Sequence, residues 1–195
     1  MLGLKRPWSA EDSSLKDHDR PLTAWGRTLA AELGKNLGDA GAGWGPDLVL
    51  CSGSQRSRET LREMTTVHAA LAAAETHFLG SLYHFAAMDG VTATHLRETI
   101  LATVSRRPEV RTVMCVGHNK GWEEAASDFA GKEVKLKVAN AALLECGGGE
   151  SWAVAFAEGS AVRWKLRGVV EHGVAAPPAG EGAEGAEEWP TPIPM

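Results

Sequence analysis

The 195-residue chain is 44% hydrophobic with a formal charge of −5, a composition that suits one globular domain with a sizeable core. No apolar run approaches the roughly 20 residues of a membrane span, and the amino end, MLGLKRPW, lacks a signal peptide's long apolar region. Glu181, Glu184, Glu187 and Glu188 account for most of the net charge, so the rest is near neutral and offers no general nucleic-acid surface.

Residues 1 to 22 are polar and irregular, with DHDRPLT as the most distinctive part. Asp17 and Asp19 flank His18. That trio suggests either a metal site or, more simply, a solvated loop whose acids pair with Arg20 or cap a helix. Thr23 is placed to cap a helix carrying a Leu29, Leu33 and Leu37 stripe, which ends in the glycine-rich GDAGAGWG. DLVLC at 47–51 is bounded by Pro46 and by Ser52 and Gly53, and reads as a buried strand.

SGSQRSRETL follows and leads into a helix with Leu61, Met64 and Leu71 facing inward. Strand, small-residue turn, then helix is a geometry that attracts an anion through backbone N–H groups and the helix dipole. Arg56 and Arg58 stand at the helix start, where a cation is electrostatically unfavourable. An anionic ligand explains them; the alternative is two solvated arginines near Glu59 and Glu63. HFLGSLY at 77–83 reads as a short strand, and Thr92 as the cap of a helix with Leu96, Ile100 and Val104 on one side.

TVMCVGHNKGW at 112–122 organises the rest. Val113 to Val116 form an apolar strand that Gly117 stops, so His118 and Asn119 emerge at its carboxyl end, where open α/β sheets bind ligands. Trp122, Ala125, Ala126 and Phe129 then recur at helical spacing, with Glu123 and Glu124 in the first turn and Gly131 as terminator. The alternation of β and α patterns from residue 23 to 131 predicts an α/β fold: a mostly parallel sheet flanked by helices on both faces.

Beyond Gly131 the pattern changes. Val134, Leu136 and Val138 alternate with polar residues, Ala141–Cys146 and Trp152–Phe156 read as a hairpin about Gly147 to Gly149, and Val162–Val170 follows, extending the sheet with antiparallel strands. From Gly173 onward the composition cannot bury enough apolar surface to offset ordering entropy, which predicts a domain over 1–172 and a disordered tail over 173–195. Cys51, Cys115 and Cys146 lie in apolar runs and cannot all pair, so they read as buried thiols of an intracellular protein.

Arg56 and His118 at two strand ends, together with DHDRPLT, resemble the histidine phosphatase (phosphoglycerate mutase-like) superfamily in its short, SixA-like branch. The resemblance spans residues 5 to about 170 through DHDRPLTAWG, LCSGSQRSRETL, VGHNKGWEEAA and NAALLE, the last two being close to plant-type members. It implies two-step phosphoryl transfer: a histidine of an N-terminal Arg-His motif takes the phosphoryl group, and water releases phosphate. Arg56, His118 and Asn119 would then bind the phosphoryl oxygens, and His118 would donate to them in the transition state. Asp89 in AAMDG is the candidate general acid, though Gly90 beside it suits a plain turn equally well.

The amino terminus departs from the pattern. Lys5 and Trp8 fit the lysine and tryptophan of the family motif, which puts Leu2 and Gly3 where the arginine and the nucleophilic histidine belong, with the preceding apolar strand absent before Met1. Two readings follow: a phosphohydrolase whose recorded sequence lost its first strand, or a pseudophosphatase that keeps an anion pocket. His68, His77, His84 and His95 read as surface or half-buried polar residues. No HxH or HExxH spacing supports a metal hydrolase, and no cofactor is expected. The expected partner is a phosphorylated small molecule or phosphoprotein, without nucleic acid or membrane, for a monomer in the cytoplasm or a plastid.

Overall fold

The computed structural model describes residues 14–41, 44–86, 88, 90–147, 151–157 and 164–173. The expected Lys5 and Trp8 motif, the candidate acid Asp89, the middle of the glycine turn after Cys146 and the tail from 174 lie outside these residues.

β1 (Leu48–Ser52) is the centre of the fold, and none of its five residues is exposed. Its side chains alternate between two cores, as a strand's period of two requires. Val49 and Cys51 pack with Leu33 and Leu37 of α1 (Ala24–Asp39) and Leu61 and Met64 of α2 (Gln55–Thr65). Leu48 and Leu50 pack with Leu96 and Ile100 of α5 (Thr92–Val104) and Ala125 of α6 (Asn119–Ala130). Helices therefore cover both faces. β1 pairs in parallel with β2 (Glu75–Leu79) on one side and β3 (Val113–Val116) on the other, giving the order β2-β1-β3. Asp47 fixes the start of this sheet, because its Oδ2 accepts from the amides of Arg111 and Thr112 at 2.8 and 2.9 Å.

The expected cap at Thr23 is present, its Oγ1 accepting from the Gly26 amide at 3.0 Å, and Gly131 closes α6 in the left-handed region at φ 62°. Other local expectations are corrected. Leu71 sits not in α2 but in a separate short helix, α3 (Ala69–Ala73). β2 stops at Leu79, and after Gly80 the chain turns into α4 (Ser81–Phe85), so Tyr83 is helical. Thr92 is the first residue of α5 rather than its cap, and its hydroxyl donates to the Phe85 carbonyl. Because α6 starts at Asn119, Glu123 and Glu124 fall in its second turn.

The carboxyl-terminal region departs most. Val134 and Leu136 are buried, but no strand forms there. Side chains of α6 take the amides instead: Val134 N–H donates to Ser127 Oγ at 2.9 Å and Leu136 N–H to Glu123 Oε2 at 2.7 Å. Trp152–Ala155 is a helix, α7, capped by Ser151, and Trp152 Nε1 is held by the Val110 carbonyl at 2.7 Å. The partner of β4 (Ala141–Cys146) is consequently β5 (Trp164–Val170), in an antiparallel ladder with a register shift between Leu143 and Leu144. The pair does not join the three-stranded sheet. A cavity of about 1160 Å³ is lined by both β3 and β4.

Candidate active site

The carboxyl ends of β1 and β3 bring Arg56 and His118 together. Arg56 is the second residue of α2, and His118 is the residue before α6. Arg56 Nη2 donates to His118 Nδ1 at 3.3 Å. Because a guanidinium only donates, this Nδ1 accepts, and the proton resides on Nε2, which donates to Ser52 Oγ at 3.0 Å. Burial, followed by the charges of Arg56 and His18, lowers the His118 pKa to about 4, so the ring is neutral at physiological pH.

Gly117 permits this approach through Trp122. A Cβ on Gly117 would stand 2.2 Å from the Trp122 ring, which donates its Nε1–H to the Cys115 carbonyl at 3.0 Å. The indole thus locks the turn that carries His118, and the two rings meet edge-on at 6.3 Å.

A carboxylate already engages the arginine. Arg56 Nη2 donates to Asp17 Oδ2 at 2.8 Å and Nη1 to the Asp17 carbonyl at 2.6 Å, while the Tyr83 hydroxyl donates to the same Oδ2 at 2.8 Å. Arg20 pairs with the other oxygen of Asp17, as expected for this loop. Tyr83 also packs its ring edge against His18 and His118, at 4.9 and 5.3 Å between centroids. His18, oriented by Asp19 at 2.8 Å, is therefore part of the site's wall rather than of a remote solvated loop. The loop is fastened below by Glu59, whose Oε2 accepts from the Leu22 amide at 2.7 Å and from Arg27 at 3.0 Å. Among the described residues, no cluster of His, Cys, Asp or Glu could hold a metal ion.

The turn after β1 differs from a backbone anion cradle. Gly53 N–H donates to the Leu79 carbonyl and Ser54 N–H to Ser52 Oγ, so these amides are engaged and anion binding falls to side chains. Arg58 is turned away, donating to the Gly53 carbonyl and stacking over Phe78. Asn119 lines the cavity beside His118. Ser52, Asp17 and Tyr83 carry weight that the spacing alone did not reveal. Asp17 stood inside a visible motif, and Tyr83 is the sole tyrosine of the chain, but only folding puts them beside Arg56.

Solved structures share this architecture. A complex of the protein histidine phosphatase SixA with tungstate superposes with a TM-score of 0.63 at 16% identity, covering 84% of this chain and 91% of that one. A SixA protein of Nakamurella multipartitia gives 0.59 at 23% identity, covering 83% and 90%. One from Agrobacterium tumefaciens gives 0.58 at 20%, covering 87% and 91%. The chain has the fold of these SixA proteins. Among curated proteins it is 48% identical over 162 residues to an uncharacterized, chloroplastic protein of Arabidopsis thaliana, covering 83% of this chain and 72% of the relative. No family model matches the chain. No helix among the described residues is long and apolar enough to cross a membrane.

Proposed function

We propose that this chain is the phosphate-binding body of a SixA-like phosphohydrolase that works through a phosphohistidine intermediate. The observation that carries the reading is the convergence of Arg56 and His118, 3.3 Å apart at the ends of two adjacent parallel strands. In the proposed reaction an incoming histidine nitrogen forms a bond to phosphorus while the bond to the leaving group breaks. Arg56 holds two equatorial oxygens through its planar fork, and the neutral His118 turns its Nε2–H from Ser52 toward a third. Asn119 adds a contact to the phosphoryl oxygens, and Asp89 delivers the proton to the leaving group. Water then attacks the phosphohistidine and releases phosphate.

The position of the nucleophile falls at Gly3, which has no side chain to attack with. The 195-residue chain is therefore expected to bind phosphate and vanadate without turnover. Attaching an apolar strand that ends in Arg-His ahead of Leu4 is expected to give burst release of phosphate from a phosphohistidine peptide. Failure of calorimetry to detect phosphate or vanadate on the 195-residue chain would remove the whole reading. Binding that persists while the extended chain stays inactive would favour the alternative, a pseudophosphatase that sequesters a phosphorylated ligand or protein.

An exposed site suits a phosphorylated protein, and the Asp17 carboxylate that engages Arg56 is 45% exposed. The chloroplastic name of the Arabidopsis relative supports a plastid address, which a fluorescent fusion found only in the cytosol would oppose.

A further inference from the structure

We infer that the Tyr83 hydroxyl is a ligand of the oxyanion bound at Arg56, a role that rests on the phosphoryl-binding reading of that site. The Asp17 carboxylate marks the place. Its Oδ2 accepts from Arg56 Nη2 and from the Tyr83 hydroxyl, each at 2.8 Å, so two donors from different elements converge on one oxygen position. A carboxylate and a phosphoryl group present the same kind of acceptor, an anionic oxygen, and a phosphoryl oxygen that displaces Oδ2 from the guanidinium enters the reach of the hydroxyl as well.

Tyr83 is held for this task by its ring as well as by its hydroxyl. Leu82, 1% exposed, anchors α4 in the core that Leu48 and Leu50 of β1 share with α5. The tyrosine ring meets His18 and His118 edge-on at 4.9 and 5.3 Å, and the Arg56 guanidinium carbon stands 5.9 Å from its centroid. A donor fixed in this way needs little reordering when an anion arrives. A phenol also supplies its hydrogen bond without placing a further positive charge beside Arg56.

Other polar groups around Arg56 are already engaged. Ser52 is fully buried and holds His118 Nε2, while Arg58 donates to the Gly53 carbonyl and lies over Phe78. The Gly53 amide donates to the Leu79 carbonyl. Tyr83, by contrast, is half-buried, and its hydroxyl donates to the very carboxylate that an incoming anion replaces on Arg56.

Asp17 must be removed before the hydroxyl can be weighed, because Tyr83 supports the competing carboxylate as well as the ligand. The test is calorimetry with inorganic phosphate and with vanadate on the full 195-residue chain carrying Asp17→Ala, with and without Tyr83→Phe, which keeps the ring and deletes the hydroxyl. Loss of the hydroxyl is expected to weaken binding of both anions about tenfold. Tyr83 is the sole tyrosine of the chain, so isotopic labelling at the tyrosine ζ carbon gives one NMR resonance, which in the unsubstituted chain is expected to move on phosphate addition along the calorimetric saturation curve. Equal affinity of the two variants, or a tyrosine resonance that bound phosphate leaves in place, would overturn the inference while the phosphate-binding reading stands. Failure of the unsubstituted chain to bind phosphate would remove both.

Discussion

At the scale of single residues, the site is governed by how two side chains, Asp17 and His118, share one guanidinium. Asp17 engages Arg56 through a carboxylate oxygen and competes with any phosphate. Asp17→Asn removes the negative charge while keeping the shape, and is expected to tighten phosphate binding about tenfold in calorimetry. Unchanged or weaker binding would mean that Asp17 positions Arg56 rather than blocking it. Arg56→Lys keeps the charge but loses the fork, and is expected to weaken binding by a similar factor.

His118 supplies a pH signature. Its folded value of about 4 lies below the ordinary 6.5, so the unfolded chain binds a proton that the folded chain refuses. The contribution is complete above about pH 6.5 and is lost as pH falls toward about 4; with partial exposure discounted it is about 2 kcal/mol. Saturating phosphate, a nearby anion, is expected to raise the His118 midpoint in an imidazole NMR titration. A midpoint that stays put on phosphate addition would show that the anion binds elsewhere.

At the scale of elements, the turn from β3 into α6 is fixed by the contact of Trp122 with Gly117. A methyl group at 2.2 Å from the indole cannot be accommodated without displacing the ring and its bond to Cys115. Gly117→Ala is expected to cost about 1–3 kcal/mol of stability and to abolish phosphate binding, because the ring that moves is the one that holds His118. Folded Gly117→Ala with normal affinity would show that the turn has slack. Elements also mark where local pattern misleads. Val134 and Leu136 alternate as a strand would, yet α6 side chains take their amides, and Trp152 satisfies its indole N–H from Val110 in a helix.

At the scale of the whole molecule, the three-stranded sheet and the β4–β5 pair face each other across the cavity, between helical layers. Filling the cavity would bury several apolar side chains at roughly 1.5–3 kcal/mol each, against a total stability of about 5–15 kcal/mol. The 195-residue chain alone is expected to bind a hydrophobic dye and to melt without a cooperative transition. A sharp, reversible melt would show that the 195-residue chain folds cooperatively with this cavity, and would favour the pseudophosphatase.

Period and punctuation determined much of this molecule. The apolar runs 48–51 and 113–116, each stopped by a glycine-containing turn, marked two strands, and the leucine spacing from 29 to 37 marked a helix, because burial on both faces or on one stripe leaves a direct trace in residue order. Arg56 and His118 were legible for the same reason: each follows a strand end, where side chains converge. The partner of β4, the helical state of Tyr83 and the grip of Asp17 on Arg56 were decided only by tertiary structure. Tyr83 lies 66 residues from Asp17, and Arg56 lies 39 away. Contacts between such distant residues are chosen by which surfaces the packed helices leave open, and no local spacing records that choice.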